Sequence, residues 1–322
     1  MPVILVTSRS FSSGEQDLVS RLESRGYTVR RGPADHSLDA IGADLAVAEG
    51  WIAGTGEVTA AHLDAAPRLK VLARYGVGFE AVDIQAAAER GVVVTNTPGA
   101  NSNAVAEHAL ALMLSVLRTV PEGDRRVRNR DWSVIRGREL GSLTVGLVGF
   151  GRIGQIVARL LTGFGSTVYA SDPLMGPELI RSLGAEPLEL AEMAAKCDVI
   201  SLHAPGGQQL IDAAWLAGAA KPLVLVNTAR PELVDEEAVA EALRTGGLAA
   251  FAADTLRGDT SGQDSPVLDP QLAARVVITP HFGAQTVQAV DGMGSIAVDN
   301  LLAVLAGRTP PNPVSPTPMK VN

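Results

Sequence analysis

The chain has 322 residues, a length that suits two domains of ordinary size. A hydrophobic fraction of 46% and a charged fraction of 19% are typical of a soluble globular protein. The net charge of −8, without a long basic run, argues against a nucleic-acid partner. Cys197 is the only cysteine, which excludes an intramolecular disulfide and a cysteine-rich metal site, and we expect no metal.

In the first hundred residues, short β-rich runs alternate with alanine-rich helical segments, which predicts βαβ units and a parallel sheet. The predicted strands cover residues 3–8, 27–31, 44–50, 70–76 and 92–96. The first run, "VILVTS", has neither a basic segment before it nor a cleavage pattern after it, so it indicates a strand. No apolar stretch reaches the roughly 18 residues that span a bilayer, so we expect a cytoplasmic protein with no membrane partner.

A long helix, "SNAVAEHALALMLSVLRTV", is predicted next, with Pro121 as its end. Its apolar residues cover most of its circumference, so we expect the helix to be buried, for example in a subunit interface. We therefore expect a homodimer. After a basic, polar stretch the alternation restarts, with more hydrophobic strands predicted at residues 144–150, 167–172, 198–204, 223–229, 248–254 and 275–280. Strands of that composition are covered on both faces.

A glycine-rich turn follows the first strand of this second series. In "VGLVGFGRIGQIVARLL" a G-x-G-x-x-G pattern stands between an apolar strand and a helix, at Gly149, Gly151 and Gly154. Such glycines allow a tight turn, close approach to a pyrophosphate, and contact between helix and strand. The N–H groups of Arg152 and Ile153 would point at the phosphates. Asp172, at the end of the next strand, would bind a ribose hydroxyl and repel a 2′-phosphate, which favours NAD over NADP. The alternative is a glycine turn without a ligand.

Four stretches between residues 70 and 312 resemble the D-isomer-specific 2-hydroxyacid dehydrogenases, which include D-lactate, glyoxylate and phosphoglycerate dehydrogenases. They are "ARYGVGFEAVDIQAAAERGVVVTNTPGANSNAVAEHALALML", "DWSVIRGRELGSLTVGLVGFGRIG", "VNTARPELVDEEAVAEAL" and "VITPHFGAQT". The resemblance implies an α/β fold of two Rossmann-like lobes with parallel sheets, the nucleotide lobe being inserted in a flavodoxin-like substrate lobe. The implied substrate domain comprises residues 1–100 and 285–322, and the NAD-binding domain comprises residues 101–284.

The resemblance also assigns roles to residues. Arg230 matches the family arginine that binds the substrate carboxylate, a task that suits a planar guanidinium. His281 matches the general acid/base, and Asp259 occupies the position of the catalytic glutamate. The positions that match cofactor-lining segments are His203, Ala204, Pro205, Thr228 and Asp254. The positions on the substrate side are Arg74, Val77 and Gly78. For Arg74, a solvent-exposed strand end is an equal alternative.

Three departures from the family pattern mark the chain as a divergent member. Asp259 replaces a glutamate that is one methylene longer, Pro231 replaces a glycine, and the loop at residues 206–210 is short. Asp259 either pairs with His281 or is a solvated loop residue.

The sequence therefore predicts an enzyme that transfers a hydride between NAD(H) and C2 of a small 2-hydroxy or 2-oxo acid. One alternative is a dehydrogenase of a small oxyanion or a phosphonate-type acid on the same scaffold. Another is a non-catalytic, NAD-sensing interaction protein.

Overall fold

The structure is a computed structural model that describes residues 1–258 and 264–314. The chain divides into two compact units. Unit 1 comprises Met1–Asn101 and the residues from Ala284 onward, and unit 2 comprises Ser102–Gly283. Each unit contains a parallel sheet with helices, which confirms the predicted α/β fold class.

The strands are β1 (Val3–Val6), β2 (Thr28–Arg31), β3 (Ala48–Ala53), β4 (Val71–Arg74), β5 (Val93–Thr95), β6 (Thr144–Val148), β7 (Thr167–Ser171), β8 (Glu186–Pro187), β9 (Val199–Leu202), β10 (Leu223–Asn227), β11 (Leu248–Ala253) and β12 (Val276–Ile278). The α-helices are α1 (Leu18–Glu23), α2 (Leu38–Leu45), α3 (Ala60–Asp64), α4 (Ile84–Glu89), α5 (Ser102–Leu117), α6 (Val120–Arg128), α7 (Arg152–Phe164), α8 (Pro177–Ser182), α9 (Leu190–Lys196), α10 (Ala213–Ala217), α11 (Glu236–Thr245) and α12 (Val287–Leu305).

Unit 1 is built on a sheet with the strand order β2-β1-β3-β4-β5, in which each neighbouring pair is parallel. Leu5, Trp51 and Leu72 are fully buried because helices cover the apolar strands on both faces. The long helix α12 returns from the C-terminal part of the chain and packs against β3 and β4. Unit 1 is therefore discontinuous in sequence.

A buried polar network lies beside this core. The indole N–H of Trp51 donates to Thr7 Oγ1 at 2.9 Å, and that hydroxyl is 2.7 Å from Nε2 of His36. The other ring nitrogen of His36 lies 3.2 Å from the carbonyl oxygen of Glu57. Burial, reinforced by the positive charge of Arg74, lowers the pKa of His36 to about 4. His36 is therefore neutral at physiological pH.

Unit 2 is built on a parallel sheet with the order β12-β11-β10-β9-β6-β7-β8. The chain runs outward from β6 to β8 and then returns to the other side of β6 with β9. Strand order therefore reverses between β6 and β9, and ligands of such sheets bind beyond the carboxyl ends of the strands at this reversal. One apolar cluster includes residues of α5 and α7, and a second includes residues of α9, α10 and α11.

Two local predictions were wrong, and one strand was not predicted. The strand predicted at residues 44–50 begins at Ala48, because residues 44 and 45 end the helix that buries Ile41 and Leu45 one turn apart. Pro121 does not end α5, which stops at Leu117; it lies in the first turn of α6, where its missing N–H costs nothing. The two-residue strand β8 had no sequence signal.

Among the described residues, no single helix has the length and hydrophobicity needed to cross a membrane. The bent pair α5 and α6, with 58° between the two helices, meets that criterion only when they are taken together.

Candidate active site

The glycine turn joins β6 to α7 at the reversal of strand order. Gly149 has φ +90°, and a β-carbon there would lie 2.6 Å from the backbone nitrogen of Ala204. A β-carbon on Gly154 would collide with the carbonyl oxygen of Gly149, so the helix meets the turn at contact distance. At Gly151, by contrast, a β-carbon would meet no atom within 4 Å. The backbone is therefore open at the glycine that a pyrophosphate would approach.

The N-terminus of α7 has the properties of an anion site. Its N-cap is Gly151, which has no side chain to accept hydrogen bonds from the first turn. The N–H groups of Arg152 and Ile153 belong to that first turn and have no acceptor within the helix. A phosphate bound there would supply one, with the helix dipole in its favour.

Asp172 follows β7 and faces the same turn. Its two carboxylate oxygens accept the N–H groups of Phe150, at 2.8 Å, and Leu174, at 2.9 Å. Each oxygen keeps a second lone pair, so the carboxylate can still accept bonds from ribose hydroxyls. Asp172 therefore fixes the glycine turn, and its contact with a ribose hydroxyl stays a prediction.

Buried polar atoms without a hydrogen-bond partner lie near the carboxyl ends of β9, β10 and β11. They are His203 Nε2, Thr228 Oγ1 and Thr255 Oγ1. Buried polar atoms are ordinarily bonded, so these three atoms are compatible with a ligand at this edge. Among the described residues, Thr95 Oγ1, Asn101 Oδ1 and Ser201 Oγ also lack a partner. Burial lowers the pKa of His203 to about 4, so its ring is neutral. Ala204 and the exposed Pro205 complete the segment after β9. These residues, with the glycine turn, fit a dinucleotide, although Thr255 had not been predicted.

Arg230 lies three residues beyond β10, in extended backbone before a short 3₁₀ turn at Pro231–Leu233. The side chain of Asn227 donates to its carbonyl oxygen at 2.8 Å, which holds the backbone of Arg230 to the end of the strand. Pro231 suits the first position of the turn, where its fixed φ is compatible. The short loop at residues 206–210 is held to that turn, since the N–H of Leu210 donates to the carbonyl oxygen of Leu233 at 2.9 Å.

His281 lies just beyond β12 in a left-handed conformation, with φ +52°. Residues other than glycine rarely adopt this conformation, so the neighbouring structure must hold it. Its N–H donates to the carbonyl oxygen of Thr279 at 2.9 Å. The side chain is exposed, as a proton donor to a substrate requires.

Asp254 lies after β11 and is buried, with its oxygens directed at the segment around His281. It accepts the hydroxyl of Thr279 at 2.6 Å and the N–H groups of Phe282 at 3.0 Å and Gly283 at 2.8 Å. Burial raises the pKa of Asp254, but hydrogen bonds from His108, Thr279 and Gly283 outweigh burial and lower it. Asp254 is thus an ionised anchor of this turn, and its place in the lining of the cofactor site stays a prediction.

Besides Thr255, two residues at this edge were missed. His108 on α5 lies 2.9 Å from Thr279 Oγ1 and 3.4 Å from Asp254 Oδ1. A histidine in a helix predicted to be buried needs a polar partner, and that signal was present in the sequence. Glu236, buried at the start of α11, accepts the N–H of Arg257 at 2.7 Å and the hydroxyl of Ser265. It therefore holds both flanks of the segment that carries Asp259, a residue outside the described ranges.

The predicted substrate residues Arg74, Val77 and Gly78 belong to unit 1. Arg74 ends β4 and is buried, which excludes the alternative of a solvent-exposed strand end. Its Nε donates to the carbonyl oxygen of Gly78 at 3.0 Å, so the guanidinium shapes the loop that follows. The N–H of Gly76, in the same loop, is bound to Thr97 Oγ1 at 3.1 Å, so this donor is already engaged.

Comparisons with known proteins show which proteins the chain is similar to. Residues 110–283 match the family model of the "D-isomer specific 2-hydroxyacid dehydrogenase, NAD binding domain". The chain is 41% identical over 263 residues to D-3-phosphoglycerate dehydrogenase of Mycobacterium tuberculosis; the match covers 80% of this chain and 49% of that protein, so the chain spans about half the length of this relative. It is 34% identical over 275 residues to glyoxylate reductase of Thermococcus litoralis, with 81% of each covered. The crystal structure of the TT0316 protein from Thermus thermophilus is similar, with a TM-score of 0.87, 37% identity, and coverage of 97% of this chain and 99% of that one.

Proposed function

The chain belongs to the D-isomer specific 2-hydroxyacid dehydrogenase family, and from this premise we propose that it catalyses reversible hydride transfer between NAD(H) and C2 of a 2-hydroxy or 2-oxo acid. The cofactor is NAD, because the matching family model is an NAD-binding domain. The substrate, the catalytic residues and the predicted homodimer belong to the proposal.

One observation carries it. Within unit 2, the open glycine turn, the buried polar atoms without a partner, Arg230 and His281 all follow strands of one parallel sheet, at its carboxyl edge. Because the carboxyl ends of parallel strands share one edge, a group that binds phosphate and groups that can do acid–base chemistry belong to one site. This pairing supports a cofactor-dependent redox reaction over simple nucleotide binding.

In the proposed reduction, bound NADH supplies the hydride that C2 of the oxo acid receives. Arg230 holds the substrate carboxylate and stabilises the negative charge that develops on the carbonyl oxygen. His281 donates a proton to that oxygen and completes the hydroxyl group. In the oxidative direction, His281 accepts the same proton.

The relatives' names cover both a phosphorylated and an unphosphorylated acid, so the test uses both kinds. NADH oxidation is followed with glyoxylate, pyruvate, hydroxypyruvate and 3-phosphohydroxypyruvate. Reduction of at least one of these acids is expected. NADH binding without turnover of any of them would favour the NAD-sensing alternative, and NAD reduction by formate or phosphite would favour the oxyanion alternative.

A matched pair of variants tests the carboxylate contact. Arg230→Lys keeps the charge but loses the planar fork, so kcat/KM should fall on the order of 10²-fold or more. Arg244→Lys makes the same exchange in unit 2 at an exposed arginine that pairs with Asp269, and it should leave turnover unchanged. Near-normal turnover in Arg230→Lys would show that another group binds the carboxylate.

A further inference from the structure

A chain of hydrogen bonds connects helix α5 to the segment that carries His281. The hydroxyl of Thr279 donates to Asp254 Oδ1 at 2.6 Å, so its proton is committed to the carboxylate. The Nε2 of His108, 2.9 Å from the same hydroxyl oxygen, must then be the donor in that contact. This contact places an N–H on Nε2 of His108, with Thr279 Oγ1 at 2.9 Å as the nearer acceptor and Asp254 Oδ1 at 3.4 Å as the more distant one.

The same network reaches both sides of His281. Asp254 accepts the N–H groups of Phe282 and Gly283, which follow His281, and the hydroxyl of Thr279, which precedes it by two residues. The ring of His108 also lies against the ring of Phe282, with the centroids 5.1 Å apart. His281 itself, with φ +52°, has a conformation that its own side chain does not favour.

Helix α5 is a suitable anchor for this network. It is 16 residues long and packs against β10, β11 and β12, the strands after which Arg230, Asp254 and His281 follow. The side chain of His108 is only 14% exposed, so solvent offers little competition for its N–H. A fixed donor on a packed helix can therefore hold Thr279 and Asp254 in one arrangement.

We propose that His108 is a positioning residue for His281. It donates to Thr279, orients the hydroxyl toward Asp254, and thereby keeps the N–H groups of Phe282 and Gly283 on the carboxylate and the imidazole of His281 in its working direction. The proposal rests on the proposed role of His281 as general acid/base.

Two variants separate the donor from the ring. His108→Phe keeps a ring beside Phe282 but has no N–H. His108→Gln has no ring but keeps an N–H donor at about the position of Nε2. Trp215→Phe is the control. It also removes a ring N–H in unit 2, the indole N–H that Trp215 donates to the carbonyl oxygen of Leu190 at 2.9 Å.

The first measurement is amide hydrogen exchange by NMR on the protein without ligands. Exchange at Phe282 and Gly283 should be on the order of 10-fold faster in His108→Phe, since their acceptor is no longer held. It should stay near wild type in His108→Gln and Trp215→Phe. Unchanged exchange in His108→Phe would overturn the proposal.

The second measurement is turnover of the best 2-oxo acid together with the Kd for NADH. In His108→Phe, kcat should fall on the order of 10- to 100-fold, the effect of a misplacement of about 1 Å, while the Kd stays within about threefold. His108→Gln should recover most of this loss. Equal losses in the two variants would overturn the role of the donor. If the wild type reduces no 2-oxo acid, the proposed function fails, whereas the exchange measurement still decides whether His108 holds the turn.

Discussion

Replacing Gly149 by alanine should destabilise unit 2 and weaken NADH binding at the same time. Gly149 follows β6 with φ +90°, a backbone conformation that alanine disfavours. The added methyl group would lie 2.6 Å from the backbone nitrogen of Ala204 and 2.7 Å from the carbonyl oxygen of His203. These are backbone atoms of the adjacent strand end, so they cannot rotate away as a flexible side chain would.

The magnitude follows from two costs. A left-handed conformation costs alanine about 1–2 kcal/mol, and forcing a methyl group into filled space costs about 1–3 kcal/mol. Their sum, about 2–5 kcal/mol, corresponds to a decrease in Tm of about 4–20 °C for a domain of this size. The Kd for NADH should rise at least about tenfold, because the displaced turn is the one that the pyrophosphate approaches.

Calorimetry and NADH titration check both effects. Gly163→Ala is the control, since Gly163 lies in α7 and a β-carbon there would meet no atom within 4 Å. That variant should be more stable by about 0.5–1 kcal/mol and bind NADH normally. A Gly149→Ala protein with the Tm and the Kd of wild type would refute the reasoning about the turn.

The other predictions concern three side chains. The wild-type protein should have a higher kcat/KM with NADH than with NADPH, and Asp172→Ser should shift this preference toward NADPH. The variant should also bind NADH more weakly, since the carboxylate holds the glycine turn. An equal or higher kcat/KM with NADPH in the wild type would contradict this prediction. His281→Asn should lower kcat on the order of 10²–10⁴-fold and leave NADH binding intact, since asparagine tolerates the left-handed backbone but cannot donate the proton. A loss of only a few-fold would show that another group supplies the proton. His36 has a folded pKa of about 4 against 6.5 when unfolded, so the unfolded state gains a proton first as the pH falls. The free energy of unfolding should then decrease by up to about 3 kcal/mol between pH 6.5 and 4 because of His36, and His36→Asn should remove this contribution. Denaturant titration at several pH values measures the slope of the free energy of unfolding against pH. Identical slopes for the wild type and the variant would disprove the prediction.

The sequence by itself determined the features that depend on neighbouring residues. Apolar β-branched runs marked the strands of unit 2, and their alternation with helices predicted parallel sheets. The spacing of Gly149, Gly151 and Gly154 predicted a turn, although only Gly149 has a positive φ and only Gly149 and Gly154 lack room for a β-carbon. The last strand of the series, predicted at residues 275–280, is present but shorter, since β12 covers only Val276–Ile278.

Only the tertiary structure decided which distant side chains meet. His108 and Thr279 are separated by 171 positions, and Glu236 reaches Ser265 across 29. No local pattern encodes such contacts, because they depend on strand order and on how each helix is seated. The burial of Arg74 was settled in the same way, by strands on both sides of β4. Local periodicity determines what a segment becomes, whereas the bonds of a buried polar group depend on the whole sheet that surrounds it.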